Sequence, residues 1–139
     1  MSKDSKFDRL HAAPLFARCG SKEIKHLEAI IDTADVKAGN ELFREGRREH
    51  YAYVIESGIA EVIIDGNVVA EVPEGEVIGE IGLLLSGPAT ATVRAKTAMS
   101  LLIIPHDRFG QVLEETPGLG VAIARELAQR LRNLDEQLQ

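Results

Sequence analysis

The sequence predicts a mostly β protein with flanking helices, built as a jelly-roll (double-stranded β-helix) barrel. Three observations predict it. Short β-branched runs punctuated by glycine fill the middle of the chain, while helical periodicity appears before and after them. Trp is absent and other aromatics are few, so a core must be assembled mainly from Val, Ile and Leu. At 139 residues the chain has room for one domain and little more.

Residues 1–12 read as a polar N-terminal tail, and 13–139 as the single domain. Helices are expected over 14–32. Pro14-Leu15-Phe16 opens an apolar patch, Ser21 can cap a helix with Glu23 in its first turn, and Ile24, Leu27, Ile30 and Ile31 recur at helical spacing. That helix should end near Asp32. The barrel is expected over 33–104, with strands at 41–44, 51–56, 59–64, 68–72, 91–95 and 100–104. Asp65-Gly66-Asn67 is a hairpin signal, because glycine tolerates positive φ.

C-terminal helices are expected over 106–138. Phe109, Val112 and Leu113 share one face of the first, Thr116 breaks it, and Pro117 suits the opening turn of the second. Leu119, Ile123, Leu127, Leu131, Leu134 and Leu138 then form a stripe whose later members have heptad-like spacing. Its first half should pack on the chain's own barrel. Its second half is a candidate homodimer contact.

Bulk features exclude several functions. A net charge of -6 disfavours a nucleic-acid face, which needs clustered Lys and Arg. The one cysteine, Cys19, cannot form an internal disulfide or a multi-cysteine zinc site, and is expected as a small packing residue. No signal-peptide pattern and no membrane-length apolar run are present, so the expected location is the cytoplasm. His11, His26, His50 and His106 are scattered, against a metal-dependent enzyme on a small β-barrel, and no nucleophile–base constellation can be assembled. The chain is therefore expected not to be an enzyme, to carry no metal and no bound cofactor, and to contact neither DNA nor membrane.

One stretch carries recognisable chemistry: Gly79-Glu80-Ile81-Gly82-Leu83-Leu84-Leu85-Ser86-Gly87-Pro88-Ala89-Thr90-Ala91-Thr92-Val93. Gly79 lets the backbone turn closely around something, Glu80 follows at once, and residues 81–85 make one helical turn whose leading N–H groups could face an anion. A carboxylate beside such a cradle fits a ligand bearing both a phosphate and hydroxyls.

This segment resembles the phosphate-binding cassette of cyclic-nucleotide-binding domains, as in catabolite activator proteins and the regulatory subunits of cyclic-AMP-dependent kinases. Pro14-Leu15-Phe16, Gly39, Phe43-Arg44-Glu45-Gly46, Tyr53-Val54-Ile55-Glu56-Ser57-Gly58, Arg94-Ala95-Lys96-Thr97 and Leu127-Ala128-Gln129-Arg130-Leu131 fit the same pattern in order. The likeness runs from about Pro14 to Arg132. It implies a regulatory, ligand-sensing module for cAMP, cGMP or a related anion. By the same resemblance Gly79 and the amides of Ile81 and Gly82 would face the cyclic phosphate, and Glu80 would bind the ribose 2′-hydroxyl. Thr90, beside Ala91, would bond a phosphate oxygen or the base, and Val62 and Val77 would line the apolar part of the pocket.

The chain departs from that pattern at Ala89, where the family's cassette has an arginine, its full positive charge for the phosphate. A charge-assisted hydrogen bond contributes about 1.5–3 kcal/mol, and truncating a buried charged partner costs about 2–5 kcal/mol. A ligand otherwise held at about 1 μM would fall to roughly hundreds of micromolar. Arg44, Arg47, Arg48 and Arg94 read as surface charges and do not substitute for it. Weakened or altered binding is expected, the alternative being a ligand-independent interaction or dimerisation module with a vestigial pocket. Since no DNA-binding module follows Leu138-Gln139, the output is expected to pass to an effector protein.

Overall fold

The computed structural model describes residues 5–138. Helix α1 (Lys6–Ala12) opens it, where a tail was expected. The Ser5 hydroxyl accepts the Asp8 amide at 3.2 Å, an N-terminal cap, and Leu10 is fully buried. Arg9 Nη1 donates to the Glu56 carbonyl at 3.0 Å and ties the helix to the barrel. Residues 1–4 of the expected tail lie outside the described residues. A single 3-10 turn (Pro14–Phe16) buries Leu15 and Phe16, and α2 (Ser21–Glu28) buries Ile24 and Leu27. Gly20, not Ser21, takes the capping position, and α2 stops before Asp32 because Asp32 already belongs to strand β1. Cys19 is buried, and burial followed by the charge of Glu23 pushes its thiol up to about 11.

Among the described residues eight strands follow: β1 (Asp32–Val36), β2 (Glu41–Phe43), β3 (Tyr51–Ser57), β4 (Ala60–Ile64), β5 (Asn67–Val72), β6 (Val77–Ile78), β7 (Thr92–Ala95) and β8 (Met99–Pro105). They form two four-stranded antiparallel sheets, in the orders β1-β8-β3-β6 and β2-β7-β4-β5. The chain crosses repeatedly between the sheets, giving the expected jelly roll. Ile64 pairs with Asn67 around a two-residue turn in which Asp65 and Gly66 both have positive φ, 51° and 79°. Strands β1 and β6 were not foreseen. The first carries two acids, Asp32 and Asp35, in five residues, and it forms because all five pair with β8.

Side-chain alternation splits the first sheet's contacts between two cores. Ala52 and Val54 of β3, with Leu102 and Ile104 of β8, face a helical layer containing Leu10, Phe16 and Ile24. Ile55 and Leu101 face inward to Phe43, Val93 and Ala95 of the second sheet.

The chain closes with α4 (His106–Glu115) and α5 (Pro117–Gln137). The α4–α5 junction is pinned where His26 Nδ1 meets the buried Thr116 hydroxyl at 2.8 Å. Leu119 and Ile123 are buried, but α5 packs chiefly on the Pro14–Phe16 turn and α4, not on the barrel as expected. The buried half of α5 joins the core that Ala52, Val54, Leu102 and Ile104 share with the helical layer. Leu131, Leu134 and Leu138 are 64%, 55% and 86% exposed.

Candidate functional site

Strand β6 runs into Gly79, which has a φ of +80° and leads into the one-turn helix α3 (Glu80–Leu84). A Cβ on Gly79 would lie 2.5 Å from Phe43 Cζ, so both backbone conformation and crowding require glycine. Gly82 has a different reason. It sits inside α3, and its missing Cβ makes space for His106, whose Cε1 would otherwise be 2.9 Å away. Packing against α4, not turn geometry, selects that glycine. After α3 the chain returns in extended loop form to β7. The Ala89 amide donates to the Arg47 carbonyl at 2.8 Å, and the Gly46 amide donates to the Ala89 carbonyl at 2.8 Å, so the return is fastened to the β2–β3 loop.

These segments line a half-open cavity of about 430 Å³, within the size range of small-molecule sites. All nine residues singled out in the sequence line it. Val62 and Val77 supply strand walls, Gly79, Glu80, Ile81 and Gly82 the cassette turn, and Ala89, Thr90 and Ala91 the returning loop. Ala89 is buried and its methyl joins the inter-sheet core with Phe43 and Val93, while Thr90 is exposed at the rim. The Gly82 amide, expected to face an anion, instead donates to the Gly79 carbonyl at 3.2 Å.

Two charged groups at the site escaped the sequence reading. Arg130 of α5 donates from Nη1 to Glu80 Oε1 at 2.7 Å and from Nε to Glu126 Oε2 at 3.2 Å. Glu126 also accepts from Arg18 at 3.3 Å. The cassette turn is thereby tied to the C-terminal helix. Glu49, from the β2–β3 loop, places Oε2 3.2 Å from the point a Gly82 Cβ would occupy, and burial pushes its carboxyl above the usual range. It sits in the run Arg47-Arg48-Glu49-His50, which reads as an exposed charged turn; only the folded chain brings it over α3. Arg130 lies within one of the quoted family-like flanks, but nothing in its neighbours marks it as the partner of Glu80.

Among the described residues no Lys or Arg lines the cavity. Arg44 pairs with Glu41 at 3.0 Å, and Arg94 pairs across strands with Glu61 at 3.3 Å, both outside it. His106 Nε2 is buried without a hydrogen-bond partner. Burial, then the neighbouring His50, lowers its imidazole pKa. Among the described residues no group of three His, Cys, Asp or Glu side chains is placed to hold a metal ion, and no helix is long and apolar enough to cross a membrane.

Comparison with known proteins agrees with this geometry. The profile of the cyclic nucleotide-binding domain matches residues 34–116. The human potassium/sodium hyperpolarization-activated cyclic nucleotide-gated channel 4 is 31% identical over 124 residues, 89% of this chain and 10% of the channel. The chain thus spans about a tenth of that relative's length, and 8% of a fungal lysophospholipase it also matches. The N-terminal domain of a transcriptional regulator from Streptomyces coelicolor superposes with a TM-score of 0.84 at 32% identity, covering 95% of this chain and 96% of that domain. The regulatory domain of Toxoplasma gondii PKA with cAMP superposes with a TM-score of 0.71 at 28% identity, covering 80% of this chain and 46% of that one.

Proposed function

The chain belongs to the cyclic nucleotide-binding domain family, a family of ligand-sensing regulatory modules, and from that premise we propose a sensor with a weakened hold on cyclic nucleotides, signalling through α5. The contact that carries this reading is Glu80 to Arg130. One oxygen of a carboxylate in the cavity wall is held by the C-terminal helix, so a ligand that engages Glu80 changes the energy of docking α5. A ligand shifts an equilibrium only where it distinguishes the two states, and this ion pair is where it would do so.

The weakened hold follows from Ala89. On the family pattern that position supplies the cation for the phosphate. Here a buried methyl takes its place, and no Lys or Arg elsewhere in the described cavity lining offers a substitute. The other proposed contacts stay with the cassette: Gly79 and the Ile81 amide at the turn, Thr90 at the rim, Val62 and Val77 against the base. Calorimetric titration with cAMP and cGMP, followed by hydrogen exchange in α5, tests this. Saturation in the high-micromolar to millimolar range with altered exchange in α5 supports it. Absence of heat and of any melting shift at millimolar nucleotide overturns cyclic-nucleotide sensing.

A second reading, association without ligand, is favoured by the exposed half of α5. Leu131, Leu134 and Leu138 present an apolar stripe that nothing in the chain covers among the described residues. We take this stripe as the contact for a second copy of the chain or for an effector protein.

A further inference from the structure

We propose that the cavity prefers an uncharged, hydroxyl-bearing, nucleoside-like ligand to any phosphorylated one, and that Glu49 sets this preference. The proposal rests on reading the cavity as a ligand site and goes further by naming the class of ligand. Two carboxylates line the cavity, those of Glu49 and Glu80, and among the described residues neither Lys nor Arg does. They differ in state. Glu80 is balanced by Arg130. Glu49 joins no ion pair among the described residues.

The position of Glu49 matters more than the count of acids. Its Oε2 lies 3.2 Å from the site of a notional Gly82 Cβ and 3.4 Å from that of Gly79. The carboxylate therefore sits over the turn that the sequence resemblance assigns to a cyclic phosphate. An anion there meets an unpaired negative charge in a partly desolvated site, where screening is weak. The backbone offers one donor fewer in return, because the Gly82 amide already donates to the Gly79 carbonyl. An ionised carboxylate only accepts hydrogen bonds, so Glu49 and the second oxygen of Glu80 both call for donors on the ligand. Sugar hydroxyls supply them. The valine and phenylalanine side chains of the lining, Val62, Val77 and Phe43 among them, suit the flat apolar face of a base.

Adenosine and cAMP form the matched pair that isolates the phosphate. Both are titrated calorimetrically into the full chain and into Glu49→Gln, a near-isosteric change that keeps an acceptor oxygen. Adenosine binding at least about tenfold tighter than cAMP to the natural chain, with Glu49→Gln closing most of that gap by strengthening cAMP, supports the proposal. Tighter binding of cAMP than adenosine overturns it while leaving the ligand site standing. A preference for adenosine that Glu49→Gln leaves unchanged overturns the role of Glu49. Heat from neither compound overturns both this proposal and the ligand-site reading beneath it.

Discussion

Arg130 Nη1 and Glu80 Oε1 lie 2.7 Å apart, joining the last helix of the chain to the first residue of the short helix in the cavity wall. Both side chains are about one-third exposed, 34% and 29%, so the pair contributes little to bulk stability, about 0.2–1 kcal/mol. On the function proposed above, its role is coupling. Arg130→Ala should lower the melting temperature by no more than a few degrees and abolish the ligand-dependent change in α5 hydrogen exchange. Arg130→Lys, which keeps the charge but loses the planar fork, should restore part of that change. A ligand response in α5 that survives Arg130→Ala would assign the coupling to another contact.

The two cassette glycines should tolerate substitution very differently. Gly79→Ala forces a left-handed backbone on an L-residue and drives Cβ into the Phe43 ring, so a loss of about 2 kcal/mol or more is expected in urea denaturation. Gly82→Ala meets the His106 ring but gains about 1 kcal/mol in helix propensity. Its net loss should be the smaller of the two. The reverse order would mean that α3 is not the helix described.

Glu49 gives the fold a pH dependence of defined sign. Burial raises its folded pKa above the ordinary value, so the folded state binds the proton more tightly than the unfolded chain. The associated stability is present below the ordinary carboxylate range and is lost as pH rises through the raised value. Tyr53, whose hydroxyl is pushed up by burial first and by the charges of Tyr51 and Glu49 after it, and His106 across Gly82 are its neighbours. Urea denaturation of the natural chain and Glu49→Gln across mildly acid to neutral pH should show the variant gaining relative stability as pH rises. A difference independent of pH would show that Glu49 titrates as it does in the unfolded chain.

Self-association through α5 predicts a dimer in sedimentation velocity that Leu131→Glu dissociates. That side chain is exposed, so the substitution should leave the melting temperature of the monomer nearly unchanged. A monomeric natural chain at high concentration removes the second copy as the occupant of the stripe.

The barrel was legible because its strands announce themselves by β-branched runs between glycines, and the helices by the return of a 3.6-residue period. Strand β1 was not, since Asp32-Thr33-Ala34-Asp35-Val36 has little strand character until β8 pairs with it. Helix α1 carried a readable signal, the Ser5 cap followed by Phe7 and Leu10, masked by the polar residues around them. In the site, nine of the lining residues could be named, seven because the cassette is contiguous, and Val62 and Val77 because the family resemblance implies them. Glu49 and Arg130 could not, because they stand 31 positions before and 50 positions after Glu80, and only folding brings them to the cassette turn.

Restoring the cation tests the central claim most directly: that this is the family's ligand cavity without its positive side chain. Ala89 is buried and belongs to the cavity lining. A regained charge-assisted hydrogen bond of about 1.5–3 kcal/mol predicts that Ala89→Arg binds cAMP about 10- to 100-fold more tightly than the natural chain by calorimetry. An Ala89→Arg protein that melts as a folded domain yet binds cAMP no better would contradict the account.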